Sequence, residues 1–147
     1  MKTTGFALVL GLSVVLMATA ADARNDRLRM PLSTVLSSPQ ARARLDPNIA
    51  LYFGKQPYSP PADRRGVFSV NEKTNFFNKT DEEGCNWVFL SAARALQEHA
   101  RRQGGNAVVD IISNYKNQPF SSETEFECGA GNVVGGVALR GEVVILR

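Results

Sequence analysis

The chain has 147 residues, with 17 Lys plus Arg against 14 Asp plus Glu, one His and two Cys. That length holds one domain with accessories and excludes a dehydrogenase with a separate substrate domain or a TIM barrel of about 250 residues. One His and two Cys exclude a conventional Cys/His zinc site, while 44% hydrophobic and 21% charged residues describe an ordinary globular protein.

Lys2 precedes an apolar run from Phe6 to Met17, broken only by Gly11 and Ser13, and Ala21-Asp22-Ala23 follows with the small residues a signal peptidase reads. Residues 1–23 are therefore expected to be a secretory signal peptide cleaved after Ala23, with Ala18-Thr19-Ala20 as a second possible site. The run is too short for a transmembrane anchor, which needs about 20 apolar residues. No Cys precedes residue 85, so no lipid-bearing Cys is available. The expected product is a soluble periplasmic or secreted chain. Removing residues 1–23 takes away one Lys and one Asp, so the net charge of +3 stays with it.

Residues 24–66 hold six of the seven prolines and are expected to form a Pro/Arg-rich segment ahead of an α+β domain over 67–147. Within it, Ser38 can cap a short helix that has Pro39 at its first position and is stopped by Asp46-Pro47. The compact apolar run Ile49–Phe53, ended by Gly54, predicts a short strand, and Lys55–Gly66 a surface loop. A second strand is expected from Val67 to about Thr74.

Thr80 followed by Glu83 has the form of a capping box, and Asp81, Glu82 and Glu83 place negative charge on the positive end of a helix dipole. Cys85, Val88, Phe89, Ala92, Leu96 and Ala100 then recur every three or four residues, predicting an amphipathic helix from Asp81 to Gln103 closed by Gly104-Gly105. Ala107–Ser113 is a β-branched strand, Tyr115–Ser122 a loop, and Glu123–Cys128 an edge strand with one wet face. Gly129, Gly131, Gly135 and Gly136 allow a bend before a last strand over Ala138–Leu146. The fold class expected is α+β, with one long amphipathic helix packed on a small, mainly antiparallel sheet.

Few residues offer chemistry. Cys85 and Cys128 are expected to form a structural disulfide, a reactive Cys85 thiol near a helix N-terminus being the alternative. His99 is expected to be a surface or half-buried residue whose pKa is lowered by Arg101 and Arg102. The glycines at 129, 131, 135 and 136 lack the Lys-Ser/Thr of a phosphate loop and serve a bend. Glu123, Glu125 and Glu127 are expected to form a solvated acidic row. Arginine pairs at 42/44, 64/65 and 101/102 are scattered, without the basic run of a nucleic-acid binder. No catalytic, cofactor-binding or metal-ligating set is found. The expected partner is an envelope protein or an anionic envelope component, and the expected role a non-enzymatic one. The alternative is a small-molecule or hydrolytic site near Tyr115, Asn117 and the glycine bend.

The stretch Ala92–Val109, a helix ending Gln-Gly-Gly-Asn-Ala-Val-Val and entering a strand, resembles the small α+β domain of the RcsF envelope-stress lipoprotein and the YbjQ-type proteins, and Cys128 and Gly-Glu-Val-Val-Ile-Leu follow in the same order. Pro31–Phe53, Gly84-Cys85-Asn86-Trp87 and Ser113-Asn114-Tyr115-Lys116-Asn117 resemble short exported bacterial proteins labelled "excinuclease ATPase subunit". The first resemblance implies an envelope protein that works by contact, although this chain lacks a lipid-attachment Cys and two of that domain's four cysteines. The second label implies an ATPase, which the sequence contradicts: it has no phosphate loop and no zinc-binding cysteine set.

Overall fold

The capping box forms as expected. In the computed structural model, which describes residues 24–147, the Thr80 hydroxyl accepts from the Glu83 N–H at 3.1 Å and the Glu83 carboxylate accepts from the Thr80 N–H at 2.9 Å. They start α3 (Asp81–Arg102), which has three acidic residues in its first turn and His99, Arg101 and Arg102 in its last. It ends at Gln103, where Gly104 takes φ +71 and the Gly105 N–H returns to the Ala100 carbonyl. The stripe of Cys85, Val88, Phe89, Ala92, Leu96 and Ala100 is buried along its whole length.

That stripe packs on a curled sheet of six strands: β1 (Asp26–Pro31), β2 (Ala50–Phe53), β3 (Pro61–Asn75), β4 (Ala107–Ser113), β5 (Glu125–Ala130) and β6 (Val134–Leu146). The order is β1-β5-β6-β4-β2, with β3 along the other side of β6. All pairs are antiparallel except β2 with β4. On one side, β6 meets β5 through Gly135 and Gly136, then β4 from Leu139 to Val144. Where β5 and β4 part, Ser113 closes the gap: its hydroxyl accepts from the Glu127 N–H at 2.9 Å, and it bridges to Phe120. The helix-facing side carries Val70, Val108, Ile111, Phe126, Val137, Leu139 and Val143; the opposite face buries Ala107, Val109 and Val144 under Tyr52, Tyr58 and Leu146.

Strict alternation in β4 would turn Asp110 toward the core beside Val108. A bulge between Val109 and Ile112 prevents this, with Asp110 at φ +52. Ile111 takes the inward position, and the exposed Asp110 carboxylate accepts a 2.9 Å hydrogen bond from the Tyr58 hydroxyl.

Residues 24–66 are woven into this core, and the boundary expected at residue 66 falls inside β3. Besides the expected short helix α2 (Pro39–Arg44), whose cap Ser38 accepts from the Ala41 N–H, there is a preceding turn of helix, α1 (Leu32–Leu36), that buries Leu32 and Val35. Gln97 of α3 holds the turn after α2 in place: its side chain accepts from the Asp46 N–H and donates to the Asp46 and Ile49 carbonyls, each at 2.9 Å. Pro61–Gly66, expected as loop, is strand. The prolyl residue lacking an N–H stands at the first position of a strand paired only with β6, and two bulges absorb the following irregularity.

The second correction concerns Glu123–Cys128. The strand is β5, Glu125–Ala130, and it is interior, because β1 pairs along it with Arg29 opposite Glu127. The Cys85–Cys128 disulfide therefore ties the N-terminal part of α3 to the interior strand β5, with the two Cα atoms 5.8 Å apart. The cleavage expected after Ala23 lies outside the described residues. Among those described, no helix is long and apolar enough to cross a membrane.

Candidate binding surface

The turn between β3 and α3 is built around Phe76. Its buried ring leaves no room for a Cβ at Gly84 of α3 or Gly135 of β6, where an added carbon would lie 2.6 and 2.3 Å from ring atoms. Its N–H donates to the Val133 carbonyl at 2.7 Å, joining this turn to the tip of the β5–β6 hairpin. Asn75 Oδ1 then accepts from the Phe77 N–H, Lys79 Nζ donates to the Asn75 carbonyl, and Asn78 takes the left-handed conformation at φ +59. Asn is among the non-glycine residues that enter that region most readily. With Phe76 locked inward, Phe77 faces solvent.

Phe77 is 62% exposed, Val133 66% and Val134 53%, and all three stand on this pair of joined turns. Trp87, 47% exposed, lines with Asn78 and Lys79 the groove that runs from the turn along α3. Most of the large apolar side chains left in water among the described residues thus meet at one end of the molecule, the exception being Val67 on β3.

The groove has a volume of about 680 Å³ and is walled by Gln40 of α2 and its cap Ser38, by the turn, and by Glu82, Glu83, Asn86, Trp87 and Leu90 of α3. Arg44 braces the indole. Its guanidinium carbon lies 3.9 Å from the ring centroid, and its nitrogens donate to the Trp87 carbonyl at 2.9 Å and to Ser91 Oγ at 2.7 Å. Burial, with the charge of Arg94, lowers the Arg44 pKa. Near the same end, Arg24 forms a fork with Asp81 and also binds Asp26. These bonds raise the Arg24 pKa and hold the Asp81 carboxyl below its ordinary value.

A second concavity, of about 420 Å³, lies beyond the hairpin tip and brings Tyr115 together with Gly129, Gly131, Gly135 and Gly136 beside Lys73. Tyr115 packs against Gly129, where a Cβ would be 2.1 Å from the ring, and its hydroxyl donates to Asn25 Oδ1 at 3.3 Å. Asn117 is not part of this lining.

The acidic row is not a solvated face. Glu123 is exposed, Glu125 is half-buried, and Glu127 is 2% exposed, with Arg27 at 3.4 Å and Arg29 at 4.0 Å. The two guanidinium groups reach Glu127 from β1 while lying over the rings of Tyr115 and Phe120. The chain between β4 and β5 therefore roofs this carboxylate, and the position is structural. Among the described residues no group of three or more His, Cys, Asp or Glu side chains is placed to hold a metal ion.

His99 stacks on Phe68 with ring centroids 4.5 Å apart, and its Nδ1 lies 3.2 Å from Arg102. Burial lowers its pKa, with Arg102 adding to the effect; Arg101 is turned away to Glu98 and Asp46. The unfolded chain therefore takes up this proton more readily than the folded one. The stability linked to neutral His99 is fully present above the ordinary value of about 6.5 and is lost as pH falls through the folded value. Melting curves at about pH 7 and about pH 5 should show the lower Tm at acid pH. A His99→Gln variant should narrow that difference, and an unchanged difference would assign the acid sensitivity to other groups.

The expected disulfide residues and the residues of the glycine bend are thus brought to defined places, whereas nothing in the sequence marks Phe77, Trp87, Val133 and Val134 as a set. Their only local signal was apolar side chains standing in turn positions or off the apolar stripe of α3. Comparisons of the chain with protein-family models, with curated proteins and with solved structures find no significant match.

Proposed function

We propose that this chain is an exported, non-enzymatic protein of the periplasm that works by binding a protein or polymer of the cell envelope through the end that carries Phe77, Trp87, Val133 and Val134. The observation that carries this reading is the gathering of exposed Phe77, Val133 and Val134 where Phe76 joins the two turns, with half-exposed Trp87 on the adjoining groove. Scattered exposed apolar residues need no explanation, but a contiguous set on a rigid support marks an interaction surface. The resemblance to the RcsF/YbjQ-type domain points the same way, toward a protein acting by contact.

The test is sedimentation with a washed envelope fraction. Phe77→Ser, and Val133→Ser with Val134→Ser, should each reduce the bound fraction about tenfold, the effect of losing a buried apolar contact at an interface, while leaving Tm unchanged because these side chains are already in water. Retention of full binding by both variants would defeat the proposal. The cavity under Tyr115 supports a second reading, a small-molecule site at the glycine bend. A bound small molecule in native mass spectrometry, lost on Tyr115→Ala, would favour it.

A further inference from the structure

The groove beside the apolar tip has a composition that narrows the choice of partner. Among the described residues, the side chains of Gln40, Asn78, Glu82 and Asn86 make no hydrogen bond to the protein, although all four line the groove. Three are amides, which donate and accept at once, and the fourth is a carboxylate, which accepts. They share the groove with the half-exposed indole of Trp87, which Arg44 braces.

A flat apolar side chain in one groove with amides that donate and accept and a carboxylate that accepts matches a ring with C–H bonds on its face and hydroxyls on its edge. The charges disfavour the other ligand that stacks on indoles. A nucleic-acid strand would bring its phosphates to the wall formed by Glu82 and Glu83, with only Lys79 in the lining to offset them. The volume of about 680 Å³ falls within the range of roughly 300 to 1,000 Å³ of small-ligand sites. The groove extends from the β3–α3 turn past two turns of α3 instead of closing into a pit, as suits a chain of rings.

We infer that this groove binds a glycan chain, one pyranose ring lying against Trp87 with its hydroxyl or acetamido groups held by Gln40, Asn78, Glu82 and Asn86. The inference rests on the proposed envelope-binding role and names the chemistry of the component bound. Two sources share this chemistry: an acetamido-sugar polymer such as the cell-wall glycan, and a neutral polysaccharide.

Trp87 is the only tryptophan in the chain, so the site contains its own reporter. Full-length protein is titrated with the tetramer of N-acetylglucosamine and, separately, with cellotetraose, and indole emission is followed. A saturable change with either oligosaccharide is expected, and the stronger responder identifies the source. Asn86→Ala and Gln40→Ala should each weaken binding by about tenfold, the loss of one or two hydrogen bonds, with Tm unchanged. Trp87→Ala, read by calorimetry, should abolish binding. No saturable change with either sugar, or equal affinity in the Asn86 and Gln40 variants, would overturn the inference. Those outcomes leave the envelope-binding proposal intact, since that is judged on Phe77, Val133 and Val134, which do not line the groove with the amides.

Discussion

Replacing Cys85 and Cys128 together by Ala should cost about 4 kcal/mol of stability, the loop-closure entropy of a crosslink spanning 43 positions. Both cysteines are fully buried, one on the apolar stripe of α3 and the other in the interior strand β5. A bond there restrains the unfolded chain, and in the native state it adds a covalent tie between two surfaces that already pack. Urea unfolding of the oxidised wild type and the double variant measures the difference directly. A loss under about 1 kcal/mol would show that the denatured chain is already restricted without the bond. Thiol titration supplies an independent reading: the native oxidised protein should show no reactive thiol, and two after denaturation with reductant.

Phe89→Ala should be of similar severity, at about 3 to 5 kcal/mol. Its ring is fully buried in α3, with the ring of Phe53 of β2 at 5.8 Å and that of Phe126 of β5 at 4.3 Å. It thus joins a strand from the proline-rich segment to one from the far end of the chain, and truncation opens a void bordered by three elements. Phe89→Leu, which keeps most of the volume, should cost under about 1.5 kcal/mol. Equal losses in the two variants would mean that ring geometry, and not volume, holds β2 and β5 to the helix.

How far such features can be seen in advance depends on whether their causes are local. The Thr80–Glu83 box, the Ser38 cap and the stripe of α3 are written within a few neighbouring residues, and they formed as the sequence led one to expect. In β1, Arg27, Leu28, Arg29 and Met30 alternate charged with apolar, but the run is short and flanked by charge; its strand character depends on β5, a hundred residues away. Glu127 has the same history. Its partners Arg27 and Arg29 come to it only through the β1–β5 register, so nothing near residue 127 announced a buried carboxylate. The bulge at Asp110 is a compromise between a charged side chain and an alternation that would bury it. The exposed apolar end was least visible, because Val133 comes beside the turn that carries Phe77 only when the β3–β6 pairing closes.

That pairing also sets the order in which the molecule can be made. β6, the last of the described strands, lies at the centre of the sheet and supplies the partner for β3, for β4 and for the glycine end of β5. Until residues 134–146 are available, β3, β4 and β5 lack the strand that joins them. Closure must span contacts 85 positions apart where Pro61 meets Leu146 and 104 apart where Asp26 meets Ala130, a topology of the kind that folds slowly. The six described strands therefore cannot close into one sheet until β6 is in place, whichever of its neighbours are already paired.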